Sequence, residues 1–203
     1  MQPELSTSTR ERIIAAAIRI LGEEGGGSLT VRRVASEAGC STIGVYTHFT
    51  DKTGLTEAVV LDAFERFAAA LAPADQVEAG RSRLIASAVA YWRWALANPA
   101  AYLVSFTPFL PDFIMRPAIV ERTSIAFLAH RARVVHAMAD GSLAEHDPDE
   151  LTRHLWACVH GAVMLALNER TRPDDADAEH RFLRQLDWTL DGLTPRGGTD
   201  VSR

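Results

Sequence analysis

Apolar residues recur every three or four positions along most of this chain, a spacing that predicts amphipathic α-helices. In the first stretch, residues 9–24, one face carries Ile13, Ile14, Ala17, Ile18 and Leu21. Gly25-Gly26-Gly27 then ends the stretch, since glycine readily adopts the backbone conformations that close a helix. No segment reads convincingly as a strand. The pattern therefore predicts an all-α fold.

The same pattern predicts further helices along the rest of the chain. Two short ones flank Gly39, and the others cover approximately residues 52–71, 76–97, 100–106, 118–139, 148–170 and 179–193. Pro108, Pro111 and Pro117 predict an irregular segment between two of them, because proline cannot continue a helix interior.

The two short helices lie unusually close together. One ends at Gly39, which suits a left-handed cap, and the next begins at Ser41, an N-cap residue type. A helix that stops at a glycine and restarts within a few residues predicts a helix-turn-helix, whose second helix enters a DNA major groove. The alternative is an ordinary helical hairpin inside a bundle.

This region resembles the DNA-binding domain of TetR-family transcriptional regulators, from about Thr9 to Phe64. The matching residues are Leu29-Thr30-Val31-Arg32-Arg33-Val34-Ala35, Glu37-Ala38-Gly39, Tyr46-Thr47-His48-Phe49 and Lys52. The resemblance implies an N-terminal three-helix DNA-binding domain over residues 1–55. A larger helical domain for ligand binding and dimerisation would then occupy residues 56–203.

The resemblance also implies which residues touch DNA. Phosphate contacts fall to Thr30, Tyr46, His48 and Lys52, and Arg32 takes a base-reading position. Ser41, at the start of the recognition helix, is counted with the DNA-binding residues, and the exposed face of that helix carries Thr42, Ile43, Gly44 and Thr47. The chain departs from the usual pattern at Cys40 and Ile43. Two roles stay open for Ile43, contact with a thymine methyl group or burial in the protein.

A second resemblance covers most of residues 80–190. Tyr91-Trp92, Asn98-Pro99-Ala100-Ala101-Tyr102 and Trp156-Ala157-Cys158-Val159-His160-Gly161 resemble the ligand-binding domain of the TetR-family branch named for a Trp-His-Gly signature. The resemblance leaves the ligand open, since such domains serve many regulators.

Aromatic residues are concentrated in the middle of the chain, as in the apolar pockets of helical bundles. We expect a small hydrophobic effector to bind near Trp92, Phe106, Phe109, Phe127, Trp156 and His160. Ordinary core packing is the alternative for most aromatic residues of this region. His160 either orients the ligand or is a core histidine that a neighbouring helix satisfies.

The final helix carries Leu183, Leu186, Leu190 and Leu193 at helical spacing, with Phe182 and Trp188 beside them. One chain does not easily bury both the leucines and the aromatic residues. We therefore predict a homodimer through the last two helices.

Charge and composition narrow the functional classes. The net charge of the 203 residues is −5, but residues 1–55 carry six basic and six acidic side chains. The acidity therefore lies outside the predicted DNA-binding domain, which is itself not strongly basic, so geometry and dimerisation must contribute to specific binding. Lys52 is the chain's single lysine.

The sequence offers no membrane span, since it has no run of about 18 apolar residues, and its first residues do not form a signal peptide. A cytoplasmic location is expected. Cys40 and Cys158 predict no disulfide and no metal site. Catalytic motifs are absent, and the spacing of His154 and His160 does not suit a metal. The expected protein is thus a regulator without cofactor that binds a palindromic DNA operator, with repression adopted from the resemblance alone.

Overall fold

The computed structural model describes residues 8–107, 113–168 and 177–195. Over these ranges every regular element is helical, so the predicted all-α fold is confirmed. The α-helices are α1 (Thr9–Glu24), α2 (Val31–Ala38), α3 (Thr42–His48), α4 (Lys52–Leu71), α5 (Arg81–Ala97), α6 (Pro99–Phe106), α7 (Pro117–Thr123), α8 (Ile125–Ala139), α9 (Pro148–Asn168) and α10 (Ala178–Leu193). Within the same ranges, none of the helices combines the length and the apolar composition that a membrane-spanning segment requires.

The first helix is closed by its own sequence at both ends. Ser8 accepts a hydrogen bond from the backbone N–H of Glu11 at 3.2 Å, and its own N–H donates to the Glu11 carboxylate at 2.8 Å. This reciprocal capping box satisfies two amide groups that the first turn leaves unpaired. Gly25 ends the helix with a positive φ of 79°. The predicted range of 9–24 is therefore correct.

The chain divides into two compact units, and each is discontinuous in sequence. The first comprises residues 1–66 and 98–124, and the second comprises residues 67–97 and 125–203. The functional boundary expected at residue 55 stays a prediction.

In the first unit, α1 packs against α2, α3 and α6. Its buried face includes Ile13, Ile14 and Ile20, each no more than 2% exposed. At Gly22 the backbone of α1 comes so close to α6 that an added Cβ would lie 2.2 Å from the Cβ of Ala100. Carbon atoms normally stay about 3.5–4.0 Å apart, so this crossing requires a glycine.

A buried carboxylate connects α4 to the segment before α7. Glu57 is 2% exposed, and the Nε of Arg116 donates to its two oxygens at 2.7 and 2.8 Å. This hydrogen bonding lowers the pKa of Glu57, although burial acts in the opposite direction. The charge-assisted contact holds the backbone ahead of α7 against the second turn of α4.

The second unit is built from α5, α8, α9 and α10 with the end of α4. Among the described residues of this unit, Arg133 of α8 is a buried cation, with its side chain 4% exposed. The guanidinium donates to both carboxylate oxygens of Asp75 at 2.7 and 3.0 Å, to Ser87 at 3.0 Å and to the Leu71 carbonyl at 3.3 Å. These bonds join α8 to α5 and to the end of α4, and the Arg133 hydrogen bonds lower the pKa of Asp75.

Part of the leucine stripe on α10 lies inside the protomer. Leu186 and Leu190 are 6% and 1% exposed, and Phe182 stacks on Trp92 of α5 with ring centroids 4.6 Å apart. The argument that one chain does not easily bury the stripe and its aromatic neighbours is therefore wrong for these residues. Trp188 differs, because it points outward and is 69% exposed.

Two predicted helices have other bounds in the structure. The helix expected over residues 118–139 is broken into α7 and α8 at Ser124, the C-cap of α7, whose backbone N–H and hydroxyl both donate to the Val120 carbonyl. The helix expected from residue 76 begins at Arg81. A short 3-10 helix (Ala72–Gln76) and Gly80, with a positive φ of 80°, precede it.

Candidate nucleic-acid interface

The turn between α2 and α3 has the geometry of a helix-turn-helix. Thr30 caps α2 by accepting from the Arg33 N–H at 3.2 Å, and Gly39 ends it in the left-handed conformation at φ 65° and ψ 40°. Ser41 then caps α3 by accepting from the Gly44 N–H at 3.0 Å. Each cap uses only the acceptor capacity of its hydroxyl, so both hydroxyls still have a hydrogen to donate.

Apolar residues fix the inner side of this motif. Val34 and Ala35 of α2, Val45 of α3 and Phe49 after it are at most 5% exposed. With these side chains turned into the unit, the opposite side of α3 is presented outward.

The outward side carries the side chains that the sequence assigns to DNA. Nine of the ten predicted residues are exposed, and Gly44 is half-buried. The exposed nine are Thr30, Arg32, Ser41, Thr42, Ile43, Tyr46, Thr47, His48 and Lys52. Their roles in contacting DNA stay predictions.

Ile43 is 77% exposed and Tyr46 is 55% exposed, although both carry large apolar surfaces. Burial in the protein, one of the two roles left open for Ile43, is therefore excluded. The hydroxyl of Thr47 donates to the Ile43 carbonyl at 2.9 Å, so it has only its lone pairs to offer a partner.

The charges around the motif fall into two groups. Arg33 donates to the Glu24 carboxylate at 2.7 Å, which raises the pKa of Arg33, and Arg19 lies 3.0 Å from Glu37. Neither Arg32 nor Lys52 forms an ion pair with any described residue. These two cations are thus available for phosphates or base edges.

Sequence reasoning missed two residues of this surface. Asp51 caps α4 by accepting from the Gly54 N–H at 2.8 Å, and the signal was an Asp directly before the predicted helix. Arg10 places its guanidinium 5.4 Å from the ring centroid of Phe49. Its position in the first turn of α1 gave no sign of this contact, since the two residues are far apart in sequence.

A cluster of aromatic and polar side chains lies inside the second unit, between α5, α8 and α9. The hydroxyl of Tyr91 is 3.1 Å from Nδ1 of His160, and Nε1 of Trp156 donates to that hydroxyl at 3.4 Å. Phe127 packs edge-on against Trp156 at 5.8 Å between ring centroids. We call Tyr91, Phe127, Trp156 and His160 the aromatic cluster.

The six predicted ligand residues therefore do not form one cluster. Phe127, Trp156 and His160 come together, whereas Trp92 packs on Phe182 of α10. Phe106 belongs to the first unit, where its ring lies 5.3 Å from that of Phe64. Phe109 lies outside the described residues.

His160 has the partner expected of a core histidine, because Tyr91 comes from a neighbouring helix. Burial lowers the pKa of His160, which favours its neutral form. The connecting residue, Tyr91, was missed as a site residue. Its signal was its place in the Tyr91-Trp92 pair of the second resemblance.

Comparison with known proteins matches both parts of the chain. Residues 13–59 match the family described as "Bacterial regulatory proteins, tetR family". Residues 84–188 match the family described as "Tetracyclin repressor-like, C-terminal domain". The chain belongs to the TetR family. Proteins of this family are DNA-binding regulators, so the prediction that the chain is not an enzyme is confirmed.

Individual relatives agree with this membership. An uncharacterized HTH-type transcriptional regulator of Mycobacterium tuberculosis is 26% identical over 195 residues, which cover 94% of this chain and 85% of the relative. A protein of unknown function from Rhodococcus sp. RHA1 has a similar structure, with a TM-score of 0.78 and 27% identity over 96% of this chain and 100% of the other.

A TetR family transcription regulator from Marinobacter aquaeolei VT8 shares the fold, with a TM-score of 0.77 and 20% identity. That alignment covers 93% of this chain and 96% of the other. The TetR resemblance is confirmed by the two family matches. Assignment of the C-terminal part to the Trp-His-Gly branch stays a prediction.

Proposed function

We propose that this TetR-family regulator is a repressor that binds a roughly palindromic operator as a dimer and releases it when a small hydrophobic effector binds. The observation that carries DNA binding is the capped turn at Gly39, which turns α3 outward. Ile43 and Tyr46 at the exposed surface add support, because large apolar side chains left in water commonly mark an interaction site.

The chemistry of the exposed residues divides them into two roles. Lys52 at the start of α4 lies where the helix dipole already favours an anion, so it suits a phosphate. The hydroxyls of Thr30 and Tyr46 likewise suit phosphates of the DNA backbone. Arg32 on α2 and Thr42 on α3 are proposed to face base edges, since Arg recognises guanine through two parallel hydrogen bonds.

Dimerisation is proposed through the outward faces of α9 and α10, not through the buried leucines. Leu165 is 61% exposed and Trp188 is 69% exposed. Gly161, one turn before Leu165, has no atom within 4 Å of where its Cβ would stand, so a second helix can approach closely. A second copy covering these faces would bury about 1,200–2,000 Å² in total, as stable interfaces do.

The effector is proposed to bind at the aromatic cluster. Its apolar rings offer the walls of a ligand site, and Tyr91 and His160 supply the few polar groups that orient a ligand. Effector binding must favour the arrangement that does not bind DNA, because a ligand shifts an equilibrium only through its differential affinity. A coupling of about 1–3 kcal/mol corresponds to a 5–150-fold loss of operator affinity.

A mobility-shift assay on DNA upstream of the protein's own gene tests the DNA-binding part. Lys52→Ala should weaken binding to all sequences and reduce the salt dependence by about one phosphate contact. Arg32→Ala should cost about 1–3 kcal/mol and relax selectivity at particular base pairs.

The matched control is Arg93→Ala, which removes one exposed positive charge from α5 in the second unit, away from the proposed dimer faces. Its binding should equal that of the wild type. If Lys52→Ala also binds like the wild type at every salt concentration, Lys52 does not contact DNA. A uniform loss by Arg32→Ala on operator and random DNA alike would assign Arg32 to a phosphate.

A further inference from the structure

The residue types of α3 restrict how this helix can distinguish base pairs. Paired hydrogen bonds to guanine and adenine edges are made by arginine, lysine, asparagine and glutamine. The seven residues of α3 are Thr-Ile-Gly-Val-Tyr-Thr-His and include none of these four types. Base recognition from α3 therefore uses other chemistry.

Ile43 presents an aliphatic side chain on the outward side of α3. It is 77% exposed, whereas Val45 of the same helix is 1% exposed. Packing in the protein's own core therefore does not account for an isoleucine at this position. In the major groove, the base feature that suits an aliphatic side chain is the 5-methyl group of thymine.

Thr47 extends this apolar surface. It lies four residues after Ile43, so the two are neighbours on one face of the helix. Its hydroxyl donates to the Ile43 carbonyl at 2.9 Å, and the hydrogen is then not free for the acceptor atoms of guanine or thymine. Thr47 thus adds a methyl group to the face of Ile43 and no free donor.

Gly44 is a glycine that the protein itself does not require. An added Cβ would lie 3.5 Å from Oγ of Ser41 and 3.7 Å from Cβ of Cys40, both ordinary contacts. Gly44 is also not among the glycines with positive φ. Since glycine destabilises a helix relative to alanine, its use here is explained by a close approach of another molecule to the backbone beside Ile43.

We infer that α3 reads thymine through its 5-methyl group, with Ile43 as the specificity-determining residue, the Thr47 methyl group beside it, and Gly44 allowing the helix to approach the base edges. Each operator half-site accordingly carries a thymine at the position that faces Ile43. The inference rests on the proposed operator binding and specifies which base feature this helix recognises.

The test begins with the full-length protein, which selects its preferred sequence from random duplex DNA. Each thymine of one selected half-site is then replaced in turn by deoxyuridine, which keeps the hydrogen-bonding groups and lacks only the methyl group. For the thymine that faces Ile43, the wild type should bind about fourfold more weakly, the value of one buried methyl group.

The same replacement should have little effect in Ile43→Ala, because the partner of the thymine methyl group is gone. The matched control is Ile125→Ala, which removes a 57% exposed isoleucine from α8 in the second unit and should keep the fourfold loss. Insensitivity of the wild type to every deoxyuridine would overturn the inference and leave operator binding intact. So would a loss that is undiminished in Ile43→Ala at every position.

Gly44→Ala separates recognition from folding. This variant should melt at or above the wild-type temperature and yet bind the operator at least about fivefold more weakly, which a purely structural role would not produce. Wild-type affinity in Gly44→Ala would overturn the close approach on which the contact depends. If the selection yields no preferred sequence, the inference and the proposed operator binding both fall.

Discussion

Replacing Gly22 by Ala tests the close crossing of α1 and α6 in the first unit. The new Cβ would lie 2.2 Å from the Cβ of Ala100 and 2.7 Å from its Cα. An ordinary carbon–carbon contact is about 1.5 Å longer than the shorter of these distances. Because the Cα belongs to the backbone, no side-chain rotation relieves the clash, and the two helices must separate.

Two effects of opposite sign decide how far Gly22→Ala changes the free energy of unfolding. Overpacking of a tight contact costs about 1–3 kcal/mol. Alanine in place of glycine inside a helix returns up to about 1 kcal/mol. We expect a net loss of about 1–2 kcal/mol in the free energy of unfolding, which for a chain of this length lowers the melting temperature by about 2–8 °C.

Thermal unfolding followed by circular dichroism measures this change. Gly54→Ala is the matched control, since Gly54 is also a helical glycine of the first unit, and its added Cβ would meet only an Asp51 oxygen at an ordinary 3.6 Å. That variant should melt at or above the wild-type temperature. Adding Ala100→Gly to Gly22→Ala should restore part of the loss, because it removes the closer of the two contacts. A Gly22→Ala protein as stable as the Gly54→Ala protein would refute the reasoning.

Two further predictions concern assembly and pH. Trp188→Glu should yield monomers in light scattering, with the melting temperature of the monomer retained. Leu186→Arg should instead unfold the protein, because the Leu186 side chain is only 6% exposed. If Trp188→Glu is still a folded dimer, the dimer interface lies elsewhere. For His130, the folded pKa of about 4 lies below the ordinary 6.5, so the unfolded chain takes up the proton first and stability falls as pH drops from 6.5 toward 4. Chemical unfolding should show that the free energy of unfolding of the wild type falls by at most about 2 kcal/mol from pH 7 to pH 5, and that His130→Leu lacks this loss. Equal pH dependence in both proteins would contradict the lowered pKa of His130.

Helices whose ends are marked by capping residues could be predicted from the sequence. The bounds of α1 and α4 agree with the structure because Ser8, Gly25 and Asp51 stand at positions where capping chemistry acts within a few residues. The break between α7 and α8 escaped prediction, since the apolar spacing continues through it. It falls at Ser124, the C-cap of α7, and neither glycine nor proline marks that position.

The candidate sites were predictable to different degrees. The DNA-facing surface follows from one contiguous segment, so its exposed and buried sides could be read from residue types. The candidate ligand site brings together three helices. The sequence does not show that Trp92 faces Phe182 while its neighbour Tyr91 faces His160. Adjacent residues on a helix point about 100° apart, and only the packing of the neighbouring helices decides which one joins a cluster.

The discontinuity of the first unit limits how this DNA-binding part can be recombined with other proteins. A fragment that ends at residue 66 would lack α6 and α7, and the surface of α1 around Gly22 would lose the helix that covers it. A chimera that takes only residues 1–55 must therefore receive a helix whose residue facing Gly22 is as small as Ala100. Exchange of DNA-binding parts among such regulators would then select for matched pairs of small residues, and a graft that ignored this crossing would lose stability before operator recognition came into play.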